Sequence, residues 1–277
     1  MRRTAAVRLK SPVGVLIALI LSQTAAASAD LQIVTPEKST TLALSAMRAK
    51  LQSHVVEIDD PVYGSKKSYD GFRLTDVFRM AGFAPDQSAD EIVFTAADGY
   101  SPNVSFDAVK AHVAYLVYEE HGEREAFAPV QQGKTKLSPG PYYVVWAEGT
   151  KVGEGMPWPY QLVKIEVTSF ADKYPLLYPT GSAATSAEHK GFLLFKSECV
   201  RCHSINLQGG EVGPELNAPK NVTEYWQSEV LRAFIKDAPS FRYKSKMPPF
   251  AQLSDADVQN VIAYFHYMAN HKITAPR

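Results

Sequence analysis

Cys199-Val200-Arg201-Cys202-His203 brings two thiols and an imidazole within five residues, and the chain holds no other cysteine. Two thiols separated by two residues support three chemistries. An oxidising compartment could close them into a disulfide, and a thioredoxin-like site could use them for exchange at a strand–helix junction. A zinc site would need two further cysteine or histidine ligands at short spacing, and none follow. The histidine directly after the second cysteine fits the third chemistry, because C-x-x-C-H is the attachment signature of c-type haem. Each thiol adds to one vinyl group, and the adjacent imidazole is forced beneath the iron as an axial ligand. The motif therefore reads as one covalent haem c held by Cys199, Cys202 and His203.

Gly191, Phe195 and Cys199 sit four residues apart, Tyr264 lies within Ile262-Ala263-Tyr264-Phe265, and Gly213-Pro214 and Lys246-Met247-Pro248-Pro249 follow the haem motif. On these residues the segment 187–271 resembles a class I c-type cytochrome. The resemblance implies that Gly191 and its aromatic neighbour pack the first helix against the last. It implies that the Pro214 carbonyl accepts the Nδ1 proton of His203, which orients the ring and raises its basicity. It implies Met247 as the sixth iron ligand, through sulfur. Met268 reads instead as core, Met156 belongs to the other domain, and His266 and His271 read as surface residues of the last helix or its end. A His/Met pair leaves no open position on the iron and raises the potential relative to all-nitrogen ligation. Both properties imply electron transfer rather than oxygen or peroxide chemistry, and they count against a haem-based sensor.

The elements that must hold this site read as helices around loops: 187–196, 224–235 and 254–268. In the last, Ser254 and Asp257 make a capping-box pattern, and Val258, Val261, Ile262, Phe265 and Met268 form one apolar stripe. Upstream, the chain reads as α+β. Strands are predicted over 31–34, 92–95, 114–118, 142–146 and 162–167, and helices over 72–81, ended by Gly82, and 106–113, capped by Ser105. Asp98-Gly99 is a turn dipeptide, and 149–159 is a Gly- and Pro-rich loop. The fold class is thus an α+β N-terminal domain of mixed sheet and short helices, followed by an all-α cytochrome c domain.

Tyr69-Asp70-Gly71-Phe72-Arg73-Leu74-Thr75-Asp76-Val77 and Glu91 to Tyr100, with strands at 114–119 and 164–167, resemble the molybdopterin-binding domain of the sulfite oxidase superfamily. That family's enzymes hold molybdenum through a cysteine thiolate. Both cysteines here lie in the haem motif and the domain is much shorter, so a recognition domain without molybdenum is expected. His112 and His121, with Glu119 and Glu120, are a metal candidate, although a solvated charged turn explains them as well. Trp146, Met156, Trp158 and Tyr160 could form a binding surface or pack as core.

Arg2, Arg3, Arg8 and Lys10, the apolar run Val13 to Leu21, and Ala27-Ser28-Ala29 fit a secretory signal over 1–29, which implies a periplasmic protein. No later segment is apolar enough to span a bilayer. The remaining domains are 30–170 and 187–277, joined by a small and polar linker at 171–186. The first carries a net charge of −6 and the second +2, which is no nucleic-acid signature. The partners expected are a redox donor and acceptor, in solution or in a larger respiratory or dehydrogenase complex. The alternative is a haem-containing oxidoreductase subunit whose first domain binds a substrate, metal or molybdopterin.

Overall fold

A computed structural model describes residues 30–84, 90–124, 126–132, 135–152 and 156–273. The expected signal segment lies outside the described residues. The first domain contains β1 (Asp30–Val34), β2 (Ser39–Ala43), α1 (Leu44–Lys50), β3 (His54–Asp60), β4 (Ser65–Arg73), α2 (Leu74–Ala81), β5 (Glu91–Ala96), β6 (Asn103–Ser105) and α3 (Phe106–Ala111). It continues with β7 (Ala114–Glu120), β8 (Val130–Gln132), β9 (Thr135–Leu137), β10 (Tyr143–Trp146) and β11 (Leu162–Thr168). Two sheets dominate. One has the order β2-β1-β11-β5-β6 and the other β10-β7-β4-β3. The first is mixed, with β1 and β11 parallel and its other pairs antiparallel.

Strand alternation decides what each face meets. Ile92 and Phe94 of β5 enter the first domain's core with Leu31, Ile33, Phe72, Phe78, Leu116 and Trp146. Val93, pointing the other way, is fully buried in the core of the second domain. Strand β5 is therefore covered on both faces, and the second domain supplies its second cover.

That domain contains α5 (Ala187–Leu194), a π turn at Phe195–Cys199, the short hairpin β12 (Ser204–Ile205) and β13 (Gln208–Gly209), α6 (Ser228–Lys236), α7 (Ala238–Phe241) and α8 (Asp255–Ala269). It is helical apart from that hairpin, as the helix pattern predicts. In α8, Ser254 Oγ accepts from the Asp257 N–H at 3.1 Å and Asp257 Oδ2 accepts from the Ser254 N–H at 2.9 Å. The stripe Val258, Val261, Ile262, Tyr264, Phe265 and Met268 is buried, at about 1.5–3 kcal/mol per large side chain. Gly191 lets α5 cross against this helix, since a Cβ there would lie 1.9 Å from the Asn260 carbonyl oxygen.

The segment between the domains is packed. It begins with α4 (Phe170–Lys173) and a 3-10 turn at Pro175–Leu177. Phe170, Tyr174 and Leu177 join the second domain's core, and Tyr264 donates its hydroxyl to the Leu177 carbonyl at 2.6 Å. Among the described residues no helix is long and apolar enough to cross a membrane.

Candidate haem site

Helix α5 runs straight into the π turn, where the Val200 N–H reaches the Phe195 carbonyl at 2.9 Å. The chain then tightens. Cys202 and His203 both donate their N–H groups to the Cys199 carbonyl, at 3.0 and 2.9 Å. This turn gathers the five motif residues. Neither cysteine is in a disulfide, and both are half-buried. Burial pushes the Cys199 thiol up to about 12 and raises that of Cys202. A thiol pair used for exchange needs a lowered pKa, so that thiolate is present. These thiols are shifted the other way.

His203 is fixed by the loop that follows. Its Nδ1 lies 2.9 Å from the Pro214 carbonyl oxygen. Burial lowers the ring's pKa against the opposing effect of that bond, which favours the neutral imidazole. Nδ1 then carries the proton donated to Pro214, and Nε2 keeps its lone pair for a metal. Gly213 makes the close approach feasible: a Cβ there would lie 2.4 Å from His203 Cε1. The Gly213 N–H holds the Cys202 carbonyl at 2.7 Å. An oriented neutral histidine beside two undisulfided cysteines fits the demands of covalent haem.

Glu215 is the anchor of this loop, and sequence reasoning passed over it. Its carboxylate accepts the N–H groups of Asn206, Leu207, Asn217 and Ala218, each at 2.9 Å. Asn206 and Leu207 have φ of 55° and 63°, an αL pair that costs energy without glycine. The carboxylate offsets that cost. A buried chain continues through Asn206, Asn217 and Asn221 to the Phe265 carbonyl of α8, at 2.8, 2.7 and 2.9 Å. The available signal was three asparagines and Glu215 crowded between positions 206 and 221, shortly after the motif.

Met247 lies half-buried in the loop before α8, its N–H bonded to Ser245 Oγ at 3.2 Å. It packs on the same core as Cys199, Trp226 and Phe250. The neighbouring Lys246 lies close enough to Cys202 to act on its thiol electrostatically. Cys199, Cys202, His203, Pro214 and Met247 thus belong to one region of one domain. Met268 is core, and His266 and His271 lie exposed on the last helix and just beyond it.

The first domain's metal candidates do not converge. His112 pairs with Glu148 at 3.2 Å, His121 with Asp70 at 3.0 Å, and Glu119 with Arg48 at 2.8 Å, while Glu120 pairs with Lys67. Among the described residues no three acidic, histidine or cysteine side chains gather to hold a metal. Trp146 is fully buried and donates to the Pro157 carbonyl at 2.9 Å. Trp158 and Tyr160 are half-buried and pack around Tyr143. Tyr143 and Tyr69 both donate to the buried Asp60, Tyr69 at 2.7 Å, a polar centre the strand pattern did not reveal.

Helices around an oriented histidine and two unbonded cysteines fit a c-type cytochrome module. Residues 186–265 match the family described as cytochrome C oxidase, cbb3-type, subunit III. A domain of this type implies haem c and redox partners. Among solved structures, the sulfane dehydrogenase SoxCD from Paracoccus pantotrophus matches with 15% identity and a TM-score of 0.34. That match covers 50% of this chain and 38% of the other, so the chain spans well under half of that protein's length.

Proposed function

We propose that this chain is an exported, periplasmic monohaem cytochrome c that passes single electrons between a redox donor and an acceptor, its first domain serving recognition rather than catalysis. The observation that carries the reading is His203, its ring oriented by the Pro214 carbonyl and closely approached by Gly213, directly beside two undisulfided cysteines. Cys199 and Cys202 would tether the haem by thioether bonds, with His203 and Met247 as its axial ligands. When bound, the haem supplies a one-electron iron couple. Pro214 and Gly213 hold the histidine ring so that a change of oxidation state requires little movement of the protein. The basic start, short apolar run and Ala27-Ser28-Ala29 support export and cleavage, leaving domains 30–170 and 187–277 with the segment 171–186 between them.

The matured protein is expected to hold about one iron per chain. Its haem stays with the polypeptide under denaturing conditions and is lost as a covalent group in a Cys199→Ser, Cys202→Ser double variant. A haem that extracts freely from the wild type refutes the attachment. Metal analysis separates this reading from the oxidoreductase alternative. Negligible molybdenum is expected, since the family's thiolate anchor has no counterpart outside the haem motif. Stoichiometric molybdenum, or a pterin released on denaturation, puts the enzyme reading first.

Arg242, Lys244 and Lys246 are exposed around Met247. Lys236 is engaged with the Leu253 carbonyl and with Asp255 at 3.2 Å, which leaves three cations to steer an acidic partner. Oxidation by anionic ferricyanide should slow as ionic strength rises, with a shallower slope when the three become Ser. Equal slopes for variant and wild type rule out a steering role.

A further inference from the structure

The turn between β5 and β6 belongs to the first domain, yet it is bonded into the haem-attachment loop of the second. Ser101 donates its N–H to the Arg201 carbonyl at 2.8 Å, and Glu211 donates its N–H to the Gly99 carbonyl at 3.1 Å. Arg201 directly precedes Cys202. Glu211 directly follows Gly210, whose own N–H binds the Val200 carbonyl at 2.8 Å. The turn is therefore seated across both strands of the loop. Gly99 has a φ of +85°, and a Cβ there would lie 2.9 Å from Glu211 Cβ, so only glycine lets the two backbones come this close.

The turn cannot swing away. Glu91 on the same strand, almost fully buried, pairs with Lys196 at 2.7 Å. Val93 is fully buried in the cytochrome core. Within the turn, Asp98 Oδ1 accepts the Tyr100 N–H at 3.1 Å, and Ala96 donates its N–H to the Tyr100 carbonyl at 2.9 Å. The Tyr100 phenol lies near the Arg201 side chain and Cys202, its pKa raised by burial. The Asp98 carboxylate lies near enough to Cys202 to act on it electrostatically.

We propose that Tyr100 and Asp98 are positioning residues of the haem site supplied by the first domain: their turn covers the Cys202 side of the attachment loop, keeps water from it, and sets the reduction potential. The inference rests on the reading that Cys199, Cys202 and His203 hold haem. Ferric haem carries one more positive charge than ferrous haem. Excluding water penalises the more charged state and raises the potential, whereas a nearby carboxylate stabilises that state and lowers it. The two residues therefore act with opposite signs.

The test is a spectroelectrochemical titration of the full-length, haem-bearing protein. Tyr100→Ala should shift the potential down, while Tyr100→Phe, which keeps the ring, should stay near the wild type. Asp98→Asn should shift it up, by an amount that shrinks with added salt because Asp98 is exposed and screened. Gly99→Ala, which unseats the turn without removing Tyr100, should also shift it down and speed amide exchange at Ser101 and Glu211. That variant decides the question if Tyr100→Ala folds poorly. A wild-type potential in Tyr100→Ala or in Gly99→Ala, with an unchanged absorption spectrum, overturns the proposal. Equal shifts in both Tyr100 variants overturn it as well, because they assign the effect to the hydroxyl rather than to coverage. A wild type without covalent haem fails the proposed function itself, whereas haem with an indifferent potential fails this inference alone.

Discussion

Met247→Ala is expected to leave the haem covalently attached while freeing one coordination position on the iron. On the proposed reading the haem would be tethered by thioether bonds from Cys199 and Cys202, which do not depend on the sixth ligand, so attachment should survive. The weak near-infrared band of sulfur–ferric ligation should vanish. The potential should fall by a sizeable part of the roughly 0.8 V range that axial ligation spans, because a soft thioether favours the ferrous state. Small ligands such as cyanide should then bind without first displacing a side chain. Packing gives the variant a second cost. Met247 rests on the core beside Trp226 and Phe250, and truncating a methionine on a core costs about 2–5 kcal/mol when the site is closed and less for this half-buried one. A wild-type ferric spectrum without the band, or a variant with unaltered potential, removes Met247 from the iron.

The second large effect concerns stability. Gly191→Ala places a methyl group 1.9 Å from the Asn260 carbonyl oxygen, 2.5 Å from its carbon and 2.8 Å from Tyr264 Cβ. Two of these neighbours are backbone, and Tyr264 is fully buried with its hydroxyl on Leu177, so nothing nearby can yield cheaply. Helices α5 and α8 must move apart. Overpacking costs typically about 1–3 kcal/mol and occasionally more, and this site belongs at or above the upper end. Each kcal/mol lowers the melting temperature by roughly 4–8 °C in a domain of 60–100 residues. Thermal melts followed by helical circular dichroism and by Soret absorbance should both shift down well beyond 10 °C. Matching melts for variant and wild type would mean that the two helices do not cross at Gly191.

The Cys199-to-His203 motif stands out in the sequence because its chemistry is contiguous: five residues carry thiols, imidazole and spacing together. Helix α8 was legible because its apolar stripe and its Ser254–Asp257 cap agree. Helix 224–235 was placed early, since Asn221 and Glu224 make a capping box on a single 3-10 turn at Val222–Glu224 and α6 begins only at Ser228. Phe72 was assigned to a helix and belongs to β4, where it faces the core across the bulge at Asp70 and Gly71. Its apolar spacing to the following residues imitates a helical turn. Non-local pairings left no local trace. Neither the order of strands nor the Ser101–Arg201 bond can be read from spacing, because each joins segments far apart in the chain. Glu215 escaped for a related reason: an acid after a Gly-Pro looks solvated until the αL pair at Asn206 and Leu207 is seen to need its oxygens.

The parallel pairing of β1 with β11, Gln32 against Lys164, sets an order of events during synthesis. The five-stranded sheet cannot close until the chain has emerged through Thr168, and such long-range pairing is slow. Cys199 and Cys202 lie beyond that point, and domains made first tend to fold first. The sheet that carries the 98–101 turn can therefore be complete before the haem-bearing segment needs a place to land. The first domain can thus be ready in time as well as in space, as a surface against which the second domain packs.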